Sequence, residues 1–474
     1  MSEFAAWTVT ETVAAVAARR VSVRELVAAT LQRARQWQPE LNAFVALFAD
    51  AALAAAARAD EQIRAGESLP ALHGVPLAHK DLFYRAGRAS GCGTTARRPA
   101  AQVTSTLLSR LDAAGAIDVG TLHMCEYALG PTGHNTWLGD CHNPWRVEYA
   151  PGGSSSGSGA AVGARIVPLS LGSDTGGSIR LPASLCGVIG LKPTFGMLSR
   201  HGMLPLSPSL DTPGICARSA ADIALVLGVL AGADADDPTT ARAPRPAIAT
   251  LVPVSDSKPL AGLRIGTAAA LHGVSIDPAV KTALDDSLTQ LSMLGAEIVR
   301  VEVPDLPQLS DLSRVLVYVE AAAVHDEQLR MHASGYSPQV RIRAATGLAI
   351  PPQVYQRALA LRTPALREFV STVLAACDVL HLPTLPIAGP TLADTAVGGG
   401  APMWQKIAAM VPCTAPFNYL GLPALSMPCG FTANGVPTGF QLVARPYGEA
   451  TLLRVAQAYE PFSAPLRRAP SPPA

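Results

Sequence analysis

The chain has 474 residues, of which 49% are hydrophobic and 15% charged, and its formal net charge is +1. This balance excludes a mostly disordered chain, because disorder needs few apolar residues and a high net charge. The sequence has no stripe of basic residues, which excludes an electrostatic nucleic-acid binder.

The N-terminus and the cysteines indicate a compartment. The chain begins MSEFAAWTVTETVAAVAARR, which has no basic region ahead of an apolar core and does not fit a signal peptide. The longest apolar stretch, residues 223–233, is shorter than the roughly 20 residues that a spanning helix needs. Eight scattered cysteines without C-x-x-C pairs are typical of reduced thiols. We expect a soluble, cytoplasmic enzyme without a membrane partner.

The first half of the chain predicts helices followed by an alternation of strands and helices. Ser22 and Glu25 form an S-x-x-E capping box that opens a helix over 23–37, and a second helix follows Asp50. Short apolar segments bounded by Gly and Pro then alternate with helical periodicity, which is typical of an α/β protein. The predicted strands are 74–78, 116–119 and 166–169, and the predicted helices 104–114 and 220–230.

A proline-rich connection at about 234–262 separates this half from the next. Beyond it a strand–helix–strand unit is predicted, and Asn434-Gly435 between two apolar runs predicts a hairpin. We therefore expect a helical segment, 1–65, packed on a catalytic domain, 66–474, that contains the connection. The predicted elements of this half are strands 263–266, 297–301, 378–382, 424–431 and 437–444, and the helix 277–294.

Two clusters of glycine and serine, residues 152–159 and 172–178, carry the chemical signal. No lysine follows either cluster as a phosphate loop requires, and no histidine or cysteine spacing fits zinc. The first cluster contains G-x-S-x-G, the nucleophile elbow of α/β-hydrolases, with Ser155 as its serine. Because Pro151 lies where that motif needs a strand, this interpretation stays an alternative.

A serine–lysine hydrolase fits the same region. Lys80 lies in an apolar, strand-like segment, where burial would lower its pKa and make the neutral amine a base. Taken alone, Lys80 is better explained by snorkelling or by pairing with Asp81. The segment from Thr175 to Ser178, however, supplies both a hydroxyl nucleophile and consecutive amides for an oxyanion.

The sequence P-G-G-S-S-S-G-S-G-A-A-V, followed by L-G-S-D-T-G-G-S-I-R-L-P-A, resembles the signature of the amidase signature hydrolases. The resemblance implies a catalytic set of Lys80, Ser154 and Ser178, with 24 residues between the two serines. It also implies a single α/β/α domain with a large mixed central sheet flanked by helices. No cofactor and no metal are implied, because the lysine supplies the base.

The resemblance assigns further roles around this set. Ser155 is expected to orient Lys80, the pair Asp174 and Arg180 to brace the loop, and the Gly153–Ser154 peptide bond to be cis. Four successive backbone amides are expected to form the oxyanion hole, those of Thr175, Gly176, Gly177 and Ser178.

The substrate is expected to be a small aliphatic or aryl carboxamide, or an anilide or carbamate. Segments 125–135, 204–210 and 402–417 are expected to line the pocket, with Trp137, Met403 and Trp404 as an apolar wall. The first alternative is the glutaminase subunit of a tRNA-dependent amidotransferase, which residues 319–350 do not resemble. The second is a non-catalytic binding protein, which has no need of an intact catalytic set. A homodimer is compatible with the family.

Overall fold

The computed structural model describes residues 3–95, 99–241, 243–244, 257–396 and 398–472. Residues 242 and 245–256, in the middle of the predicted proline-rich connection, lie outside the described residues.

The N-terminal segment combines three helices with one strand. The hydroxyl of Ser22 caps α2 and the carboxylate of Glu25 returns the bond, which confirms the predicted capping box. Residues 1–65 were expected to be helical, yet a four-residue strand, β1, lies between α2 and α3 and pairs with β3. The elements are α1 Val9–Ala17, α2 Val23–Leu41, β1 Phe44–Leu47 and α3 Ala49–Ala65.

The strands form one mixed sheet whose order is β1-β3-β2-β4-β6-β5-β10-β11-β9-β7-β8 in the described part of the chain. Strands β3, β2 and β4 are parallel, as are β9, β7 and β8, and antiparallel pairs join the two groups. The remaining strands are β2 Pro76–Lys80, β3 Ile117–Leu122, β4 Leu169–Asp174, β5 Ile189–Lys192, β6 Thr212–Ala217, β7 Arg264–Ala268, β8 Glu297–Val301, β9 Val379–Pro383, β10 Ala424–Phe431 and β11 Pro437–Ala444.

Helices flank this sheet, and together they form a single α/β domain. The remaining helices are α4 Thr106–Ala113, α5 Ser156–Gly163, α6 Arg180–Cys186, α7 Ala220–Leu230, α8 Pro278–Met293, α9 Leu306–Val324, α10 Asp326–Met331, α11 Pro338–Thr346, α12 Pro352–Ala376, α13 Gly400–Ala408, α14 Ala415–Tyr419, α15 Glu449–Tyr459 and α16 Ala464–Arg467.

Several predicted elements differ from the structure. The strand expected at 166–169 begins only at Leu169 and continues to Asp174, and the strands β5 and β6 were not predicted. The predicted hairpin is confirmed: β10 and β11 pair around a turn in which Gly435 has φ +76°, a backbone conformation that favours glycine.

Two further expectations concern the cysteines and the membrane. None of the eight cysteines, all of which the structure describes, forms a disulfide. Among the described helices, none combines the length and apolar character needed to cross a bilayer.

Candidate active site

The site forms where two neighbouring strands end. Strands β2 and β4 are parallel and pair from Leu77 with Leu169 to His79 with Leu171, so their carboxyl ends lie at the same edge of the sheet. Lys80 is the last residue of β2 and Asp174 the last of β4. In open α/β sheets this edge is the usual place for a ligand site.

Lys80 is completely buried and lies between two serine hydroxyls. Its Nζ is 2.7 Å from Ser154 Oγ and 2.9 Å from Ser173 Oγ. Burial lowers the pKa of Lys80 from 10.5 to about 7, against the opposing effects of the Cys125 thiol and the Asp211 carboxyl. The amine can therefore hold or release a proton near neutral pH.

Ser154 and Ser178 are brought together through the backbone. The amide of Ser155 donates to the carbonyl oxygen of Ser178 at 3.2 Å, and the amide of Cys125 donates to the carbonyl oxygen of Ser154 at 3.1 Å. The Gly153–Ser154 peptide bond is cis, as expected. Ser178 is half-buried, and its hydroxyl forms no hydrogen bond to another described residue. Ser178 is thus the member of the set that solvent or a substrate can reach.

The loop between β4 and α6 presents three free amides instead of the expected four. The amide of Gly177 donates to Asp174 Oδ1 at 2.8 Å, because the loop folds back over that carboxylate. Within the described part of the chain, the amides of Thr175, Gly176 and Ser178 have no hydrogen-bond partner. The contribution expected from Gly177 to an oxyanion hole is therefore corrected: its N–H is already used.

Asp174 and Arg180 form the expected brace beneath this loop. Both side chains are fully buried, and Arg180 donates from Nη2 to Oδ1 at 2.9 Å and from Nε to Oδ2 at 3.0 Å. Burial opposes the charge on Asp174, but the Arg180 guanidinium outweighs it and holds the pKa of that carboxyl well below its usual range. Arg180 also donates to Asn418 Oδ1 at 2.6 Å and to Gln441 Oε1 at 3.0 Å.

Ser155 lies one contact away from Lys80, an arrangement compatible with the expectation that it orients the lysine. Its hydroxyl donates to the carbonyl oxygen of Ser173 at 3.1 Å and accepts from the amide of Ser173 at 3.2 Å. Ser173 itself contacts the lysine, and sequence reasoning missed it. No imidazole is bonded to the Ser155 hydroxyl among the described residues, and no strand directly precedes Gly153, so the geometry does not support the nucleophile elbow.

A cavity of about 310 Å³ opens next to Ser178. The expected segments supply part of its wall, and Trp404 lines it whereas Trp137 and Met403 do not. The loop after β4, Leu181 of α6, helix α9 and Arg343 of α11 supply the rest, and the parts played by α9 and Arg343 were not predicted. The lining residues are Ala128, Leu129, Gly130, Pro131, Thr175, Gly176, Ser178, Leu181, Leu206, Ser310, Ser313, Arg314, Val317, Tyr318, Arg343, Trp404, Ile407, Ala408, Val411 and Ala415.

The charges of this cavity have one sign. Arg343 is 9% exposed, stacks on Trp404 with 4.7 Å between its guanidinium carbon and the ring centroid, and donates to the carbonyl oxygen of Leu129 at 3.0 Å. Its buried Nε has no hydrogen-bond partner, and no described carboxylate forms an ion pair with Arg343, whereas Arg314 of the cavity wall pairs with Asp311 at 3.2 Å. Aspartate and glutamate are absent from the described lining residues. A larger cavity of about 660 Å³, beside α3 and β3, contains none of these residues.

The comparison with known proteins assigns the family. The family model described as amidase matches residues 25–453 of this chain. The chain belongs to the amidase family. Membership confirms the resemblance to the amidase signature hydrolases and supports hydrolysis of a carbon–nitrogen bond.

Members of the amidase family that are similar to this chain have different names. A glutamyl-tRNA(Gln) amidotransferase subunit of Azoarcus sp. (strain BH72) is 37% identical over 472 residues, which is 94% of this chain and 95% of that protein. A structure solved in work on a vestigial protein complex and the evolutionary origins of an s-triazine catabolic enzyme has a TM-score of 0.88 and 34% identity, covering 96% of this chain and 98% of its own. The peptide amidase of Stenotrophomonas maltophilia has a TM-score of 0.81 and 30% identity, covering 98% of each chain.

Proposed function

We propose that the chain hydrolyses a carboxamide through an acyl-enzyme on Ser178. Neutral Lys80 accepts the proton of the Ser154 hydroxyl, and Ser154 takes the proton of Ser178 as Ser178 Oγ attacks the amide carbon. The proton returns through Ser154 to the leaving nitrogen when the carbon–nitrogen bond breaks. Water then attacks the ester by the same route and regenerates Ser178. The contact of 2.7 Å between the buried Lys80 amine and Ser154 is the observation that carries this proposal.

The negative charge of the tetrahedral intermediate is assigned to the loop after β4. The free amides of Thr175, Gly176 and Ser178 are the available donors. Each well-placed donor of this kind lowers the barrier by about 3 kcal/mol. The brace of Asp174 and Arg180 holds the loop in this conformation before the substrate binds, so the donors need no rearrangement during the reaction.

The cavity supports a substrate that carries a carboxylate at the end remote from the amide. Arg343 is a buried cation without an anionic partner among the described residues, and a carboxylate of the substrate would complete its hydrogen bonds and its charge balance. The apolar surfaces of Val317, Trp404 and Val411 fit the methylene groups between the two ends. The monoamide of a small dicarboxylic acid has this chemistry.

Glutamine hydrolysis for a tRNA-dependent amidotransferase is the second candidate, and the names of the curated relatives favour it over a stand-alone amidase. In that role the chain would work with a protein partner. Glutamine shares the carboxylate and the terminal amide with the substrate proposed above. It also carries an ammonium group, for which the described cavity wall offers Arg314 and Arg343 but no carboxylate. The geometry therefore favours the substrate without the ammonium.

Ammonia release from three amides tests these proposals. Glutaramate, the monoamide of glutaric acid, differs from L-glutamine only in lacking the ammonium, and butyramide lacks the carboxylate as well. We expect turnover to be highest with glutaramate and to be lost in Ser178→Ala and Lys80→Ala. Ser371→Ala, at an exposed serine of α12, is the matched control. Turnover that persists in Ser178→Ala contradicts the mechanism, and faster hydrolysis of L-glutamine favours the amidotransferase role. The panel also includes one carbamate and one anilide, and the anilide is assayed by release of its aniline.

A further inference from the structure

Asp211 is a buried carboxylate that the mechanism above does not use. It precedes β6, which pairs antiparallel with β4 so that Thr212 lies opposite Asp174. Because the strands are antiparallel, Asp211, which precedes Thr212, therefore lies opposite Thr175, which follows Asp174. Asp211 is 2% exposed, and its Oδ1 accepts a hydrogen bond from Thr175 Oγ1 at 2.6 Å. This contact reaches the loop that carries the free amides.

The other oxygen of Asp211 holds the segment 206–211 in place. Its Oδ2 accepts from the amides of Leu206 at 2.8 Å and Ser207 at 3.0 Å. Leu206 lines the cavity beside Ser178. One carboxylate thus connects the wall of the cavity with the loop of free amides.

A second buried carboxylate fixes the same segment from helix α9. Glu320 accepts from Ser207 Oγ at 2.6 Å, and from the amide of Ser209 at 3.0 Å and its hydroxyl at 2.6 Å. Helix α9 also supplies the cavity wall from Ser310 to Tyr318. Segment 206–211 is therefore bonded to Glu320 of α9 through Ser207 and Ser209, and to Thr175 through Asp211.

Thr175 is buried, and it borders the cavity together with Gly176. The amide of Thr175 has no hydrogen-bond partner among the described residues, and a Cβ added to the next residue, Gly176, would meet no atom within 4 Å. The hydroxyl of Thr175 forms its hydrogen bond to Asp211 alone in the described part of the chain. The peptide group that carries the Thr175 amide is held on its carbonyl side, where Asn418 Nδ2 donates to the carbonyl oxygen of Asp174 at 2.9 Å, and the bond to Asp211 holds the side-chain end of Thr175.

We infer that Asp211 is a positioning residue that aims the amide of Thr175 at the oxyanion and ties it to the substrate-binding wall of α9. The inference rests on the proposed function, because it requires Ser178 to be the nucleophile. Burial raises the pKa of Asp211 from 3.8 to about 6, and the carboxyl is ionised above neutral pH, where neutral Lys80 also prevails. An ionised acceptor makes the bond to the Thr175 hydroxyl short and directional.

The test is the rate at which a fluorophosphonate labels the enzyme at pH 8. The Ser178 oxygen attacks the phosphorus of this reagent and displaces fluoride, while the hydroxyl proton passes to Ser154 and Lys80. Negative charge develops on the phosphoryl oxygen where the amide oxyanion would lie, so the rate reports the donors without knowledge of the substrate. We expect Thr175→Val, which keeps the shape of the side chain, and Asp211→Asn each to lower the rate about 10- to 100-fold. The double variant should be no slower than the slower single variant, because both remove the same contact.

Three controls make the result specific. Thr175→Ser, which restores the hydroxyl, should recover most of the loss caused by valine. Thr240→Val removes another buried threonine hydroxyl, bonded at 2.8 Å to the carbonyl oxygen of Asp237, and should leave the rate unchanged. With glutaramate, Thr175→Val should lower kcat and leave KM within about threefold, because the contact acts on the transition state.

Different results would overturn the proposed function and the inference. A wild-type enzyme that the reagent does not label, or a Ser178→Ala variant that it labels equally, overturns the proposed nucleophile and the inference with it. A labelled wild type whose Thr175→Val and Asp211→Asn variants react at the same rate overturns the inference alone. If Asp211→Asn does not fold, the comparison of valine with serine at position 175 decides.

Discussion

Replacing Lys80 with methionine should stabilise the protein while it removes activity. The pKa of Lys80 is about 7 in the folded chain and 10.5 in its ordinary state, a difference that corresponds to about 5 kcal/mol. The sign follows from proton binding. Between pH 7 and 10.5 the unfolded chain holds a proton on Lys80 that the folded chain has lost, so the stability of the wild type rises as the pH increases from 7 to 10.5. Above pH 10.5 the penalty has disappeared. Below pH 7 the folded chain carries the full penalty of a buried ammonium. Methionine fills a similar volume and has no such penalty.

The pH dependence of the stability difference is the quantity to measure. Methionine also loses the contacts with Ser154 and Ser173, but that loss is the same at every pH. From pH 7 to pH 9 the advantage of Lys80→Met should fall by about 2 kcal/mol, because Lys80 is already half deprotonated in the folded chain at pH 7. For a chain of 474 residues, whose unfolding entropy is about 1 kcal/mol per degree, this corresponds to about 2 °C in Tm. Scanning fluorimetry of both proteins at the two pH values provides the measurement.

A constant difference in Tm between pH 7 and pH 9 would refute this reasoning, since it would mean that Lys80 keeps an ordinary pKa. Activity offers an independent check. Because protonated Lys80 cannot accept a proton from Ser154, kcat/KM should fall tenfold per pH unit below about 7. An acid limb at pH 9 to 10 would contradict the assignment of Lys80 as a buried base.

The remaining predictions concern the neighbours of Lys80 and the cavity. Arg343→Gln should raise KM for glutaramate about 10- to 100-fold and leave butyramide kinetics unchanged, because only the carboxylate contacts the guanidinium. Ser173→Ala should lower kcat more than Ser155→Ala does, because Ser173 contacts Lys80 directly; steady-state kinetics compare the two. Asp174→Asn should lower the free energy of unfolding by about 3 to 5 kcal/mol, because Arg180 would remain buried without its counter-ion; denaturant unfolding measures the loss.

A specific experimental result would contradict each of these three predictions. Equal effects of Arg343→Gln on glutaramate and butyramide would show that the arginine supports the fold of α11 and not a carboxylate. A larger effect of Ser155→Ala would reverse the order of contact around Lys80. An unchanged stability of Asp174→Asn would mean that Arg180 finds enough partners in Asn418 and Gln441.

The sequence indicates candidate residues for the site but not how they are arranged. Local motifs and the resemblance to the amidase signature pointed to Lys80, Ser154 and Ser178, and the structure brings Lys80 and Ser154 into contact and the backbone of Ser178 beside them. The orientation of the Gly177 amide could not be predicted, because it depends on the position of the Asp174 carboxylate in three dimensions. The same holds for Ser173, which meets Lys80 only because β2 and β4 pair in parallel.

The strands, too, were predicted where the local sequence pattern is strong and missed where packing within the sheet determines them. Strands with a periodic or continuous apolar pattern, such as β8, β10 and β11, were predicted at their observed bounds. Strands β5 and β6 were missed because they are short and contain Gly190 and Gly214, residues that are depleted in strands and usually indicate turns. Both glycines face close neighbours: an added Cβ would lie 2.5 Å from Ala183 Cβ or from the carbonyl oxygen of Leu191. Packing within the sheet, and not local propensity, determines these positions.

Recognition of the substrate depends on the part of the molecule that local patterns describe least. The proposed catalytic set lies within residues 80–178, whereas Arg343, Tyr318 and Trp404 reach the cavity from helices more than 130 residues further along the chain. Their convergence requires the packing of α9, α11 and α13 over the carboxyl edge of the sheet, and no spacing in the sequence encodes it. A shared family therefore predicts a shared reaction but not a shared substrate. Glutaramate and L-glutamine differ only in the group that this wall would have to accept, so their comparison tests what family membership cannot determine.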